Sequence, residues 1–240
     1  MSSFTLVHED CYKFIPTLKD NSIDLCITDA PFQFQTKGGS LYKKSASRAK
    51  TLHKLDSLEC CDFSPKDFLD LLFPKMKMFY GYFFCNKILI ADYLNWAIEH
   101  NFKYDLLTMN KKNPVPAKNG HHLNDLESIV LIREPGSYFD SKQSYDDYRK
   151  YFETVCAKRI HPAEKPVELL ERFVRVSSPK DGLIFDPFAG SGSTGIACLN
   201  NRRNFLGIEK DDGFFELASK RLKERQDEIN GIGSLFEGML

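Results

Sequence analysis

The stretch Leu183-Ile184-Phe185-Asp186-Pro187-Phe188-Ala189-Gly190-Ser191-Gly192-Ser193-Thr194-Gly195 decides the fold. Three apolar residues read as a buried strand that ends in an acid. A glycine-rich turn follows, and residues 194–200 have the composition of a helix. Glycines permit a tight turn and a close approach of ligand to backbone. The next apolar run, 205–208, is a strand that ends in a second acid, Glu209. An acid there is placed to accept hydrogen bonds from both ribose hydroxyls of a nucleoside. The pattern also spells Gly-x-Gly-x-x-Gly, so a nicotinamide dehydrogenase competes with a methyltransferase on the glycines and Glu209 alone. Two details separate them. Asp186 would repel a pyrophosphate at the helix N-terminus, whereas it suits the cationic amino group of a methionine moiety. A dehydrogenase also needs several more strands after this one, and only one remains.

Working outward, strands are expected at 4–7, 23–28, 78–85, 104–109 and 128–133, as well as at 183–186 and 205–209. Helices are expected at 12–18, from Ser64-Pro65 onward, and at 88–100, 166–176, 194–200 and 213–226. Ser64 has the N-cap chemistry and Pro65 suits the first turn. Residues 113–120, rich in Pro, Asn and Gly, read as a loop, and 134–160 are polar, tyrosine-rich and poorly periodic. Strands alternating with helices predict a doubly wound, mostly parallel α/β sheet. Such sheets bind ligands beyond the carboxyl ends of their strands. At 240 residues the chain suits one such domain.

Composition narrows the partners. The 33 Lys and Arg balance 33 Asp and Glu, so any nucleic-acid surface must be local. One candidate is the loop at 36–62, which carries Lys37, Lys43, Lys44, Arg48, Lys50 and Lys54 with Tyr42 and His53, and no acid up to Lys54. No run of about 18 apolar residues suggests a membrane helix, and residues 1–5 lack a secretory layout. Seven cysteines, irregularly spaced and without a Cys-x-x-Cys pair, fit reduced thiols in a cytoplasm. Cys60-Cys61 near His53 make a poor zinc site, and no metal is expected. His121-His122 and Trp96 read as surface and core residues, respectively.

A second strand end, Ile23-Asp24-Leu25-Cys26-Ile27-Thr28-Asp29-Ala30-Pro31-Phe32, delivers an acid, a rigid turn and an aromatic ring to one place. Here the chain resembles the amino-methyltransferases of DNA, whose hallmark is Asp-Pro-Pro-Tyr or a close variant. His161-Pro162-Ala163-Glu164-Lys165-Pro166-Val167-Glu168 is similar to that family's stretch ahead of its cofactor motif. With the catalytic motif first and the cofactor motif last, the order is that of the circularly permuted β class. His8-Glu9-Asp10-Cys11 resembles the turn that contacts the cofactor's adenine, and Lys112-Asn113-Pro114-Val115-Pro116 a loop near the target base. The resemblance covers nearly the whole chain apart from the basic loop and the 134–160 segment.

The resemblance implies a Rossmann-like methyltransferase domain over 1–240, with a DNA-contacting loop at 36–62 and a small target-recognition insertion at about 134–160. It implies S-adenosylmethionine as cofactor, bound by Asp10, Cys11, Lys165, Asp186, Pro187, Phe188, Ala189, Gly190, Ser191, Gly192 and Glu209. It implies catalysis by Asp29, Ala30, Pro31 and Phe32 on a flipped-out base, and phosphate contacts from Lys37, Lys43, Lys44, Arg48 and Lys50. Double-stranded DNA is the expected partner, with a homodimer as a further assembly to test. Adenine N6 is the favoured target, because cytosine-N4 members more often begin this motif with serine. The competing readings are a cytosine-N4 enzyme, a catalytically impaired relic caused by Ala30, and the dehydrogenase. Alanine at 30 keeps the backbone carbonyl but loses the fixed φ of proline.

Overall fold

A computed structural model describes residues 2–30, 63–114, 122–155 and 164–237, with side chains to residue 231. Among these, eight strands form one sheet: β1 (Phe4–His8), β2 (Leu25–Asp29), β3 (Tyr80–Cys85), β4 (Lys103–Lys111), β5 (Leu126–Arg133), β6 (Tyr151–Thr154), β7 (Leu183–Asp186) and β8 (Asn204–Glu209). Their spatial order is β1-β8-β7-β2-β3-β5-β4-β6. The five from β1 to β3 are parallel, β5 runs antiparallel between β3 and β4, and β6 lies parallel to β4. The helices are α1 (Cys11–Phe14), α2 (Pro65–Leu72), α3 (Ile90–Glu99), α4 (Val167–Ser177), α5 (Ser193–Asn200) and α6 (Asp212–Glu237).

The parallel strands are apolar on both faces because both faces are covered. On one face Cys26, Phe83 and Val130 pack with Phe68 of α2 and with Tyr93 and Trp96 of α3. On the other, Leu25, Ile27 and Ile184 pack with Phe173 of α4, Cys198 of α5 and Leu222 of α6. Alternation along β2 therefore turns Cys26 away from the face that carries Leu25, Ile27 and Asp29. The Ser64 side chain accepts from the Asp67 N–H at 3.2 Å, with Pro65 in the first turn, as its sequence predicts.

Several boundaries differ from the sequence reading, each for a physical reason. The helix expected at 12–18 is only α1, capped by Asp10, and it tightens into a 3-10 turn at Ile15–Thr17. Pro16 has no N–H and cannot continue an α-helix. Within the poorly periodic 134–160 segment, Tyr151–Thr154 forms β6, whose hydrogen-bond partners on β4 are remote in sequence. The last helix continues past 226 to Glu237. None of the described helices is long and apolar enough to cross a membrane.

Two glycines where the turn enters α5 serve packing. Gly192 has φ +80°, a left-handed conformation that L side chains rarely adopt, and a Cβ there would meet Ala218 Cβ at 3.2 Å. A Cβ on Gly195 would lie 2.5 Å from Leu222 Cδ2 and 2.7 Å from Phe205 Cδ1. Gly195→Ala is therefore expected to destabilise the fold by about 1–3 kcal/mol through overpacking. Denaturant titration checks this; an unchanged midpoint would mean that α5 does not pack this closely in solution.

Candidate active site

Four adjacent parallel strands, β1, β8, β7 and β2, end on one edge of the sheet, and each delivers an acid there. Asp10 follows β1, Glu209 ends β8, Asp186 ends β7 and Asp29 ends β2. At the usual strand spacing the row spans about 14 Å. That length suits an extended nucleoside joined to an amino acid. A cavity enclosing about 450 Å³, its open mouth included, lies at the β7–β2 end of the row. Asp29, Lys165, Asp186, Phe188, Gly190 and Ser191 are among its walls.

Asp186 is 4 % exposed. Its Oδ1 accepts from Thr28 Oγ1 at 2.8 Å and from the Phe188 N–H at 3.2 Å, and its Oδ2 accepts from Thr194 Oγ1 at 2.7 Å. Burial pushes its carboxyl up to about 6, against the pull of those three donors. No lysine or arginine pairs with it among the described residues. A buried carboxylate that faces a cavity without a cation fits the ammonium of a methionine moiety.

Glu209 is oriented by backbone. Its Oε2 accepts from the Gly190 N–H and its Oε1 from the Asp211 N–H, both at 2.8 Å. Burial raises its carboxyl as well. Each oxygen keeps a lone pair, the arrangement that a ribose diol needs. Asp10 accepts from the Tyr12 N–H and from Lys210 Nζ, at 2.9 Å each, and the Lys210 bond holds its carboxyl low. Cys11 is buried beside it. Pro187 and Ala189 are buried in the turn, and Phe188 packs against Phe63 and Phe68. The Ala189 N–H donates to the Ile208 carbonyl at 2.8 Å.

Asp29 occupies the neighbouring strand end. Its Oδ2 pairs with Lys165 Nζ, while its Oδ1 is buried and has no hydrogen-bond partner among the described residues. Burial raises the Asp29 carboxyl and Lys165 pulls it back down. Ala30 is buried at 2 % exposure. Pro31, Phe32, the basic residues Lys37, Lys43, Lys44, Arg48 and Lys50, and residues 156–163 lie outside the described residues. Cys26, at 0 % exposure, has its thiol pushed well up by burial. It is therefore an inert core residue and not a nucleophile.

The structure adds residues that the sequence did not single out. Thr28 and Thr194 hold Asp186. Arg221 of α6 donates to the Ser191 carbonyl at 2.7 Å and pairs with Glu164 at 2.9 Å, tying the glycine turn to the chain just before Lys165. Glu127 of β5 lies 3.6 Å from Lys165 and 2.5 Å from Lys111 of β4. No local pattern marks these residues; the pairing of distant strands and helices assembles them. Among the described residues no group of His, Cys, Asp and Glu is arranged to hold a metal.

Comparison with solved structures bears on the fold. The M1.HpyAVI–SAM complex superposes with a TM-score of 0.68 at 23 % identity, covering 91 % of this chain and all of that one. The cytosine-N4-specific PvuII DNA methyltransferase gives 0.67 at 14 % identity, covering 95 % and 93 %. The fold is thus the Rossmann-like methyltransferase fold. Among curated proteins, the type II methyltransferases M2.MboI of Moraxella bovis and M2.DpnII of Streptococcus pneumoniae are 29 % and 28 % identical. They align over 92 % and 94 % of this chain and over 88 % and 91 % of their own lengths. A family model described as DNA methylase (N6_N4_Mtase) matches residues 23–220. The chain belongs to this N6/N4 DNA methylase family; it is a DNA methyltransferase that uses S-adenosylmethionine.

Proposed function

We propose that the enzyme methylates the N6 amine of an adenine flipped out of double-stranded DNA. The observation that carries this reading is the buried Oδ1 of Asp29, without a hydrogen-bond partner among the described residues, at the cavity wall beside Asp186. An exocyclic amine is a weak nucleophile because its lone pair is delocalised into the ring. Asp29 Oδ1 accepts one N–H and the Ala30 carbonyl the other, so the nitrogen becomes more tetrahedral and its lone pair turns towards the donor. S-adenosylmethionine supplies an electrophilic sulfonium methyl group. Asp29 stands where the amine proton would be released as the methyl group is accepted. Aligning two bound reactants can lower a barrier by up to about 7–11 kcal/mol.

Asp186 holds the methionine ammonium, Glu209 the ribose and the Asp10–Cys11 turn the adenine ring; Phe188 and residues 187–192 form the wall between them. Pro31 stiffens the catalytic turn and Phe32 stacks on the flipped base. The loop with Lys37, Lys43, Lys44, Arg48 and Lys50 grips phosphates. The 134–160 segment reads base edges; its described part is anchored by Arg172, which donates to the Tyr151 and Arg149 carbonyls. The names of the relatives favour a type II modification role; a cytoplasmic location and a homodimer complete the reading, and ultracentrifugation tests the latter. An aspartate at position 29 favours adenine over cytosine. Incubation with tritiated cofactor and unmethylated DNA, followed by nucleoside analysis, is expected to yield N6-methyladenine. N4-methylcytosine alone would reassign the base, and no labelled nucleoside would mark the protein as a relic.

A further inference from the structure

The side chains behind Asp29 form a line of alternating charge. Lys111 of β4, Glu127 of β5, Lys165 before α4 and Asp29 of β2 follow one another, with Glu127 2.5 Å from Lys111 and 3.6 Å from Lys165. The Lys165 side chain is 9 % exposed, and its ammonium also sits 5.0 Å from the centre of the Phe84 ring, the β3 residue directly beside Asp29. One lysine, not known from sequence to touch Asp29, is therefore fixed on three sides: by a carboxylate, a ring and a second carboxylate.

We propose that Lys165 is a positioning residue for Asp29, and that Glu127, held by Lys111, governs how firmly Lys165 grips it. By covering Oδ2, Lys165 fixes the carboxylate plane and leaves Oδ1 alone to meet the target amine. Glu127 competes for the same ammonium, so the strength of the grip is set by residues on two other strands. This rests on the reading of Asp29 as the acceptor of the amine. It differs from the cofactor-binding role that the family resemblance implies for Lys165.

The charged and titratable groups around Asp29 give the sign of the effect. Lys165 and Lys111 favour its ionised form, while Glu127 opposes it. Asp186 of β7, Cys85 of β3 and Tyr93 of α3 also lie within its field. Removing the Lys165 charge raises the pH at which Asp29 loses its proton. Removing the Glu127 charge lowers it and removes a competitor for the Lys165 ammonium. A residue that only supports the fold would not move the two in opposite directions.

The experiment uses the full chain, with turnover on unmethylated DNA followed against pH at saturating cofactor, and cofactor affinity measured by calorimetry. In Lys165→Met the acid limb is expected to move up by about 1–3 pH units, the reach of an adjacent opposite charge. Cofactor affinity should stay within about threefold of the natural protein. Lys165→Arg should bring the limb back, and Glu127→Gln should move it down. Should Lys165→Met fail to fold, Glu127→Gln alone still tests the sign. A cofactor affinity more than about tenfold weaker in Lys165→Met, with the limb unmoved, would make Lys165 a cofactor ligand and overturn the proposal. An unmoved or upward limb in Glu127→Gln would also overturn it. Asp29→Asn with natural turnover would instead locate the failure in the Asp29 reading itself.

Discussion

Asp29→Ala is expected to cut turnover by about 10³-fold while cofactor affinity stays near that of the natural protein. Deleting one preorganised hydrogen-bonding group at a dry reacting centre typically costs about 10²–10³ in rate. Here the deleted group is the buried Oδ1 that has no other partner among the described residues. Binding should survive because Asp186 and Glu209 sit on β7 and β8, with their own hydrogen-bond partners. Stability must be measured in parallel, since the change strips Lys165 of its Asp29 partner. Ala30→Pro is expected to match or exceed the natural rate, because it keeps the carbonyl and stiffens the turn. Activity that appears only in Ala30→Pro would identify the natural protein as a relic. Full activity in Asp29→Ala would move the catalytic centre elsewhere.

Asp186→Ala is expected to weaken cofactor binding by about 30-fold to several thousand-fold. Truncating one partner of a buried charge pair costs about 2–5 kcal/mol, and each 1.4 kcal/mol is about tenfold in affinity. The substitution also leaves the Thr28 and Thr194 hydroxyls and the Phe188 N–H without their acceptor. A matching pH dependence follows from the carboxyl being pushed up to about 6. In the cofactor-free fold the neutral acid is favoured, so this group's contribution to stability falls as pH rises from the ordinary carboxylate range through about 6. Binding a cation requires the ionised form. Cofactor affinity should therefore hold above pH 6 and decline by up to about tenfold per unit below it. Calorimetry from pH 5 to 8 tests this. An affinity independent of pH in that window, or one unchanged in Asp186→Ala, would remove Asp186 from the ammonium site.

Sequence by itself determined the parts of this protein whose chemistry is local. The apolar run ending in Asp186, the glycine turn and the following helix are contiguous, so their strand–turn–helix order is readable from neighbours alone. The same holds for the β2 run into Asp29, the Ser64–Pro65 helix start and the final acid Glu209. The resemblance to amino-methyltransferases, carried by these same runs, pointed to the family that the comparisons then established. Where the reading fell short, the cause was a competing local rule or a distant partner. Pro16 shortened α1 by removing an N–H, whereas β6 exists only because β4 offers it a ladder across the sheet.

Tertiary structure alone decided how the acids relate. Asp10 and Glu209 lie near opposite ends of the chain, yet β1 and β8 are paired neighbours. Lys165 reaches Asp29 across 136 positions, and Glu127 and Lys111 join them only through the β4–β5 pairing. Such long-range ion pairs leave no periodicity or motif in the chain, because their partners are chosen by strand order and register. The roles of Gly192 and Gly195 were decided in the same way. Gly192 ends the turn that reads as room for a ligand and Gly195 lies in the first turn of α5, but the space beside them is filled by Ala218, Leu222 and Phe205. A missing Cβ records only that something approaches closely, and the identity of the neighbour is set by how α5 and α6 pack.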